Sequence, residues 1–179
     1  LITNDGGGYS SYTPRRSAAG EATALTRWRA DTTRDSWGTW IYVQDRETGD
    51  LRSAARQPLG EAAAEERVRY WTSHAEFRRR VGDLSLHTEV TVAPEDDVEI
   101  RRLSLTNHSG RTRRLRVTSY GEVVLAPQSA DRGHPAFNKM FIESEYLAGI
   151  NVLLFQRRPR ASDESPIAMA HLLAVEPSE

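Results

Sequence analysis

Hydrophobic and polar residues alternate along most of the chain from position 39 onward. A period of two is typical of β-strands that bury one face and expose the other to water. The alternation is clearest at 84–92, where the apolar side reads Leu84, Leu86, Thr88, Val90 and Val92. It recurs at 115–125. We predict one strand over each of these two stretches.

Between these two strands, the apolar residues move from even to odd positions. Val98 and Ile100 share one parity, whereas Leu103 and Leu105 share the opposite one. One additional residue would bring all four to the same face, because a bulge sets two residues of one strand against a single residue of its partner. The pattern therefore predicts a β-bulge at 101–102.

Turn-forming residues interrupt the apolar runs at short intervals, at 47–50, 81–83, 94–97 and 107–110. Such spacing is typical of antiparallel strands. Additional strands are predicted at 39–44, 51–54, 68–80, 140–145, 150–157 and 167–175. Residues 60–67 are predicted as either a short helix or a mobile loop, and residues 1–38 and 126–139 as long ordered loops. The predicted fold class is all-β, an antiparallel β-sandwich of two packed sheets in a single domain over residues 1–179.

Composition narrows the choice of partners. The 179 residues include 24 Lys and Arg against 25 Asp and Glu, a formal net charge of −1. This balance argues against nucleic acid and membrane surfaces, since both attract an excess of positive charge on one protein face. The absence of cysteine excludes disulfides, thiolate catalysis and cysteine-ligated zinc. Apolar runs such as 152–155 are far shorter than the roughly 20 residues of a membrane span, so we expect a soluble polypeptide without direct membrane insertion.

One segment, 26–37, concentrates Trp, Arg and Asp with little apolar alternation. Sugar-binding sites use these residue types, because an aromatic face packs on pyranose C–H groups while Arg and Asp satisfy several hydroxyls at once. The alternative is an ion-paired loop whose two tryptophans, Trp28 and Trp37, pack against the sandwich. The sequence pattern alone leaves both interpretations open.

Other patterns predict neither a catalytic residue, nor a metal site, nor a cofactor. The glycines at 6–8 are not followed by Lys and Ser or Thr, so a tight turn or a close approach of another chain segment explains them better than a phosphate-binding loop. The five histidines lack a metal-ligand spacing. Residues 45–50 lack the glutamate of a calcium loop, because Arg56 stands in its place, and are predicted as a hairpin turn.

Several short motifs follow one another along the chain: ITNDGGGYS at 2–10, LTRWRADTTRD at 25–35, HTEV at 87–90, SYGEVVLAP at 119–127 and HPAF at 134–137. In this combination the chain resembles the phosphorylase-like part of cyclic β-1,2-glucan synthases. The chain is also similar to 1,2-β-oligoglucan phosphorylases and, more distantly, to cellobiose and chitobiose phosphorylases. No single motif is specific, but their combination covers nearly the whole chain.

The resemblance implies a β-supersandwich, similar to galactose mutarotase, that precedes an (α/α)6 barrel. The family's general acid and phosphate-binding residues lie in the barrel, so no catalytic residue is transferred to this chain. The parent synthases act at the cytoplasmic side of the bacterial inner membrane, and this chain is interpreted as a fragment of the larger supersandwich. The implied partners are β-1,2-glucan or its oligosaccharides, the barrel of the same parent chain, and a second copy of the chain.

Because family sandwich domains lend loops to the sugar cleft, the candidate carbohydrate-binding residues are Tyr9, Arg27, Trp28, Asp31, Arg34, Asp35 and Trp37. The expected function is that of a non-catalytic, carbohydrate-associated domain that shapes the glucan cleft. A first alternative is an autonomous β-glucan-binding module. A second is a mutarotase-like sugar epimerase that uses His87 with Glu89, or His134, as acid and base.

Overall fold

The computed structural model describes residues 1–13, 22–30, 33–161, 164 and 166–176. These residues form thirteen strands and two short helices. The strands are β1 Ser11–Tyr12, β2 Thr23–Thr26, β3 Trp40–Asp45, β4 Leu51–Ser53, β5 Glu65–Tyr70, β6 His74–Val81, β7 Leu84–Val92, β8 Glu99–Asn107, β9 Leu115–Tyr120, β10 Val123–Pro127, β11 Ile142–Leu147, β12 Val152–Arg157 and β13 Ile167–Leu172. The helices are α1 Gln128–Gly133 and α2 Pro135–Lys139. The predicted all-β class is confirmed.

The chain divides into two compact units. The first comprises Leu1–Ser10 and Arg27–Glu122 and holds the antiparallel sheets β4-β3-β9 and β5-β6-β7-β8. The second comprises Ser11–Thr26 and Val123–Glu179 and holds the sheets β1-β2-β10 and β11-β12-β13 with both helices. A single domain over residues 1–179 stays a prediction.

Apolar side chains from both sheets of the first unit meet in one core. Val43 of β3, Ala54, and Leu84 and Leu86 of β7 form its buried centre. Partly buried residues of β3, β8 and β9 pack around it: Ile41, Leu103, Leu105, Leu115 and Val117. The alternating residues of these strands thus bury one face each, so the first unit is a two-layer sandwich.

Two predicted strands are each divided into two. Residues 68–80 form parts of β5 and β6 with a turn at 71–73, and residues 115–125 form β9 and β10, which belong to different sheets. Gly121 lies at the second break, and a Cβ at this position would lie 3.3 Å from Thr39 Oγ1. The alternation continues through the second break, so residue parity could not reveal it, whereas at 71–73 the apolar parity changes from Val68 and Tyr70 to Ala75 and Phe77.

The β-bulge predicted at 101–102 is wrong. β7 and β8 pair residue for residue from Leu84 with Asn107 to Val92 with Glu99. Arg101 shares the inner parity of Leu103 and is retained there because its guanidinium donates to Thr39 O at 2.8 Å and Glu99 Oε1 at 2.7 Å. Ile100 is therefore exposed on the outer face of the sheet.

A register shift does occur elsewhere, where β10 pairs with β2. It lies between Val123 and Ala126, and Leu125 within it has a φ of 48°.

Three segments predicted without strands differ from that prediction in separate ways. Residues 1–38, predicted as long ordered loops, include β1 and β2. Residues 60–67 contain no helix: a turn ends at Gly60 and β5 begins at Glu65. Residues 126–139, predicted as a loop, include α1 and α2. Buried Asn138 joins these helices, since its Nδ2 donates to Ala130 O at 2.7 Å and His134 O at 3.1 Å. Helices of five and six residues are too short to impose a 3.6-residue hydrophobic period on the sequence.

Candidate functional site

The glycines at 6–8 fold the amino-terminal segment back on itself in the first unit. Thr3 N donates to Gly7 O at 2.8 Å, and Tyr9 N donates to Leu1 O at 3.0 Å. Gly8 N donates to Trp37 O at 3.3 Å, which joins this segment to the residues before β3. Gly6 and Gly8 have positive φ values of 91° and 138°, a conformation that favours glycine. The glycines serve a tight turn, as predicted.

Asp35 is the centre of this arrangement. Its carboxylate accepts hydrogen bonds from Thr3 Oγ1 and from Trp28 Nε1, the latter at 3.2 Å. Gly7 packs directly against the same carboxylate, and a Cβ at position 7 would overlap it. The close approach expected for the glycines is therefore made to a side chain distant in sequence.

The Trp28 ring is held on a second side by an aromatic contact. The Tyr9 and Trp28 rings stack with centroids 6.1 Å apart and an interplanar angle of 23°. Both side chains are partly exposed. With Asp35 they form one contiguous group, which we call the Asp35 cluster and define as Thr3, Gly7, Tyr9, Trp28 and Asp35.

The remaining predicted site residues are placed differently. Arg27 is buried and forms an ion pair with Glu122, whose carbonyl also accepts from Arg27 N at 2.8 Å. Trp37 O accepts from Gly8 N, beside the Asp35 cluster, and Trp37 is 36% exposed. Arg34 is exposed. Asp31 lies outside the described residues. The segment 26–37 thus has features of both interpretations. Arg27 is ion-paired, as expected of a structural loop, and Trp28 and Trp37 are partly exposed, as expected of a sugar-binding site.

Sequence analysis did not single out Tyr70 at the end of β5. Burial raises the pKa of Tyr70, and the negative charges of Asp35 and Asp5 raise it further. The adjacent aromatic residues Tyr70 and Trp71 were the available signal, but the strand predicted at 68–80 runs through both.

The residues proposed for acid and base chemistry occupy other positions. His87 Nε2 lies 2.9 Å from Glu76 Oε1 on the neighbouring strand. Burial acts to raise the pKa of Glu76, but hydrogen bonding and charge from Arg78, together with His87, outweigh it and hold that pKa below its ordinary value. His134 is exposed between α1 and α2, where its carbonyl accepts from Asn138. His87 is thus engaged with a carboxylate other than Glu89.

The described residues present neither a metal-binding cluster nor a membrane-spanning helix. No group of three or more His, Asp or Glu in the described ranges is placed to hold a metal ion. Among the helices found in that part of the chain, none is long and apolar enough to cross a membrane.

Comparison with known families matches residues 1–179 to the model described as Glycosyl hydrolase 94, supersandwich domain. The chain belongs to this family. The supersandwich expected from the resemblance is thereby confirmed, together with its link to glucan synthases and phosphorylase-like proteins.

Curated proteins similar to this supersandwich domain come from two groups. It is 36% identical over 173 residues to the cyclic beta-(1,2)-glucan synthase NdvB of Rhizobium meliloti (strain 1021), an alignment that covers 97% of this chain and 6% of that protein. It is 26% identical over 152 residues to the N,N'-diacetylchitobiose phosphorylase of Vibrio furnissii, covering 84% of this chain and 18% of that protein. The supersandwich chain thus spans less than a fifth of the length of these relatives.

Proposed function

We propose that this supersandwich domain is a non-catalytic, carbohydrate-associated part of a cyclic β-1,2-glucan synthase and that the Asp35 cluster shapes its glucan cleft. The observation that carries the proposal is the fixed Trp28 ring. Its indole N–H is bound by Asp35 and its plane is stacked on Tyr9, yet part of the side chain remains exposed. A ring held in one orientation binds a sugar face with little further loss of side-chain entropy.

The chemistry of the surrounding residues fits a carbohydrate. An aromatic ring offers an apolar face to pyranose C–H groups, and its polar edge groups can serve hydroxyls. Trp37 adds a second partly exposed indole, and exposed Arg34 adds a charged donor on the same segment. We propose that the glucan passes along these side chains, which then form part of the wall of its cleft.

The ionisable residues favour a supporting role over catalysis. Asp35 accepts hydrogen bonds from Thr3 and Trp28, Arg27 is paired with Glu122, and Glu76 is paired with Arg78 and His87. A general acid needs a carboxyl group whose pKa is raised toward the working pH, whereas the pKa of Glu76 is lowered. We propose that catalysis belongs to an (α/α)6 barrel of the parent chain at the cytoplasmic side of the inner membrane, with this domain as its partner and as a candidate contact between copies.

The test uses the full parent synthase and measures the glucan length distribution, the activity and the oligomeric mass. Trp28→Ala and Trp37→Ala are expected to alter glucan length. Tyr146→Ala is the matched control, because Tyr146 is 57% exposed but lies in the second unit. Wild-type glucan length, activity and oligomeric mass in Trp28→Ala, Trp37→Ala and Arg34→Ala would show that the proposal is wrong.

An autonomous β-glucan-binding module is the second candidate. It is favoured by the location of Tyr9, Trp28, Asp35 and Trp37 within one compact unit, which presents them without help from another chain. Isothermal titration calorimetry of the 179-residue chain with linear and cyclic β-1,2-glucans tests it. The absence of binding heat at millimolar sugar would exclude autonomous binding and leave the cleft-shaping role to be judged in the synthase.

A further inference from the structure

A threonine lies among apolar residues on the inner face of the four-stranded sheet. Thr88 of β7 pairs with Phe77 of β6 on one side and with Leu103 of β8 on the other. Only 6% of its surface is exposed. Its hydroxyl is buried and finds no hydrogen-bond partner among the described residues. Because a buried hydroxyl without a partner is unfavourable, the presence of threonine here needs a physical reason.

A small cavity borders Thr88 within the first unit. Its volume is about 20 Å³, and Trp40, Phe77 and Val90 form part of its wall. A cavity needs roughly 10–15 Å³ to hold one water molecule. There is therefore room beside Thr88 for a single water molecule.

Two further polar residues line the same cavity. One is Thr39, whose hydroxyl is likewise buried and without a hydrogen-bond partner in the part of the chain that the structure describes. The other is Arg101, whose Nη1 donates to Thr39 O at 2.8 Å and whose side chain is 19% exposed. Cavities that stay dry are lined by apolar groups, whereas a buried water molecule makes about three hydrogen bonds to polar ones. The lining of this cavity has the polar groups that a water molecule requires.

We propose that this cavity is a binding site for one internal water molecule, held by the Thr88 hydroxyl and shared with Thr39 and Arg101. Water both donates and accepts, so one molecule satisfies two hydroxyls that do not bond to each other. It thereby connects β7 with the residue that precedes β3. The inference is independent of the proposed function, because it requires no carbohydrate.

The site explains why β7 carries threonine at an apolar position. Valine has nearly the same shape as threonine and lacks the hydroxyl, so it would continue the apolar series of Leu84, Leu86 and Val90 without an unpartnered polar group. Threonine is favoured only if its hydroxyl has a ligand. The bound water is that ligand.

The cavity also borders the turn that supports the Asp35 cluster. Gly6 forms part of its wall, and Gly6 N donates to Thr3 O at 3.1 Å. Thr3 in turn donates to the Asp35 carboxylate through its hydroxyl. The water molecule therefore fills the space between the four-stranded sheet and the glycine turn.

High-resolution crystal structures of the 179-residue chain and of Thr88→Ser and Thr88→Val test the site. We expect a water peak at about 2.5–3.0 Å from the hydroxyl oxygen in wild type and in Thr88→Ser, and no peak in Thr88→Val. Urea unfolding is measured in parallel. Thr88→Val should lower the folding equilibrium constant by about fivefold, because the remaining polar groups lose their shared partner. Thr106→Val, at an exposed position of β8, is the control and should change that constant by less than about twofold.

Three results would overturn the proposal. The first is the lack of a water peak beside Thr88 in wild type. The second is a peak that persists in Thr88→Val, because the water would then be held by other groups. The third is a Thr88→Val variant as stable as wild type or more stable, since replacement of an unpartnered hydroxyl by a methyl group relieves its burial cost. Loss of the peak in Thr88→Val together with lower stability would support the proposal.

Discussion

At the residue scale, the Asp35 carboxylate explains why position 7 is a glycine. The Asp35 carboxylate occupies the space that a Cβ at position 7 would need, and Gly38 approaches on another side, where its own Cβ would lie 3.0 Å from Gly7 Cα. Asp35 cannot withdraw without breaking its bonds to Thr3 and Trp28. The glycine is therefore required by packing around a distant acidic side chain.

We predict that Gly7→Ala lowers the free energy of unfolding by about 1–3 kcal/mol, the range for overpacking in a close-packed site. Gly110→Ala is the matched control, because a Cβ there meets nothing within 4 Å and should change stability by less than about 0.5 kcal/mol. Urea unfolding of both variants measures the difference. Equal stability of Gly7→Ala and Gly110→Ala would contradict the packing described for Asp35.

Asp45 gives the first unit a predictable pH dependence. Backbone donation from Glu47 N at 2.9 Å is the main cause that lowers its pKa below 3.8, and Thr48 N and the Arg113 charge add to it against the opposing effect of burial. In the unfolded chain the group takes up a proton near pH 3.8, whereas in the folded chain it does so only at lower pH. The stabilisation is thus complete above that pH and is lost as the pH falls through the folded pKa.

Asp45→Asn retains an oxygen for the turn but loses the charge facing Arg113. Wild type should therefore be more stable than Asp45→Asn at pH 7, and the difference should shrink steadily as the solution is acidified below about pH 4. Asp50→Asn, at an exposed position of the same turn, should show little difference at either pH. Thermal unfolding midpoints from pH 7 to pH 2.5 measure this, and a pH-independent difference for Asp45→Asn would contradict it.

At the scale of elements, a buried arginine holds the loop between β4 and β5 against the sandwich. The Arg79 side chain is 1% exposed, and its Nη1 donates to Ser53 O at 2.9 Å and Ala55 O at 2.6 Å. It also contacts Glu61 O and pairs with Glu66 at 3.0 Å. This one guanidinium holds residues 53–66 in place. The helix predicted as one alternative at 60–67 is not present.

We predict that Arg79→Lys lowers the free energy of unfolding by about 2–4 kcal/mol. A single ammonium group cannot donate at once to the backbone carbonyls that the planar guanidinium binds. Hydrogen exchange should also accelerate at 55–64. Arg80→Lys is the control, because the Arg80 side chain is 41% exposed and lies 3.5 Å from the carboxylate of Glu65. This substitution should lower the free energy of unfolding by less than about 0.5 kcal/mol. Unchanged exchange at 55–64 in Arg79→Lys would show that the loop is held by other contacts.

At the scale of the whole molecule, charge is balanced even where arginine is concentrated. The outer face of the four-stranded sheet carries Arg67, Arg78 and Arg80, but Glu65 and Glu76 of the same strands pair with two of them. With a net charge of −1, the chain lacks the excess positive charge that draws proteins to phosphate backbones.

The chain should therefore leave the fluorescence polarisation of a labelled DNA duplex unchanged at 150 mM salt and protein concentrations up to about 100 µM. Non-specific binders, with dissociation constants of about 1–100 µM, are detected in this range. A variant with Glu65→Gln and Glu76→Gln serves as the comparison. Saturable binding by wild type that weakens with salt would overturn the exclusion of nucleic acid drawn from composition.

The sequence alone determined those properties that depend on neighbouring residues. Alternation placed β7 at 84–92, turn chemistry placed the hairpin at 45–50, and composition excluded thiol chemistry. These succeed because strand periodicity and turn preference are local effects, and because composition needs no contacts. The family resemblance likewise rests on short motifs in order along the chain, and the family match confirms it.

Only the tertiary structure decided what depends on partners far apart in the chain. Asp35 is the centre of its cluster because Thr3, 32 residues away, folds back onto it, and Arg27 leaves the cluster because Glu122, 95 residues away, pairs with it. Arg101 faces inward because Thr39 O receives its guanidinium, an arrangement that parity alone interprets as a bulge. Such choices follow from the free energy of pairing buried polar groups, and that depends on the three-dimensional neighbours of each residue and not on the order of the sequence.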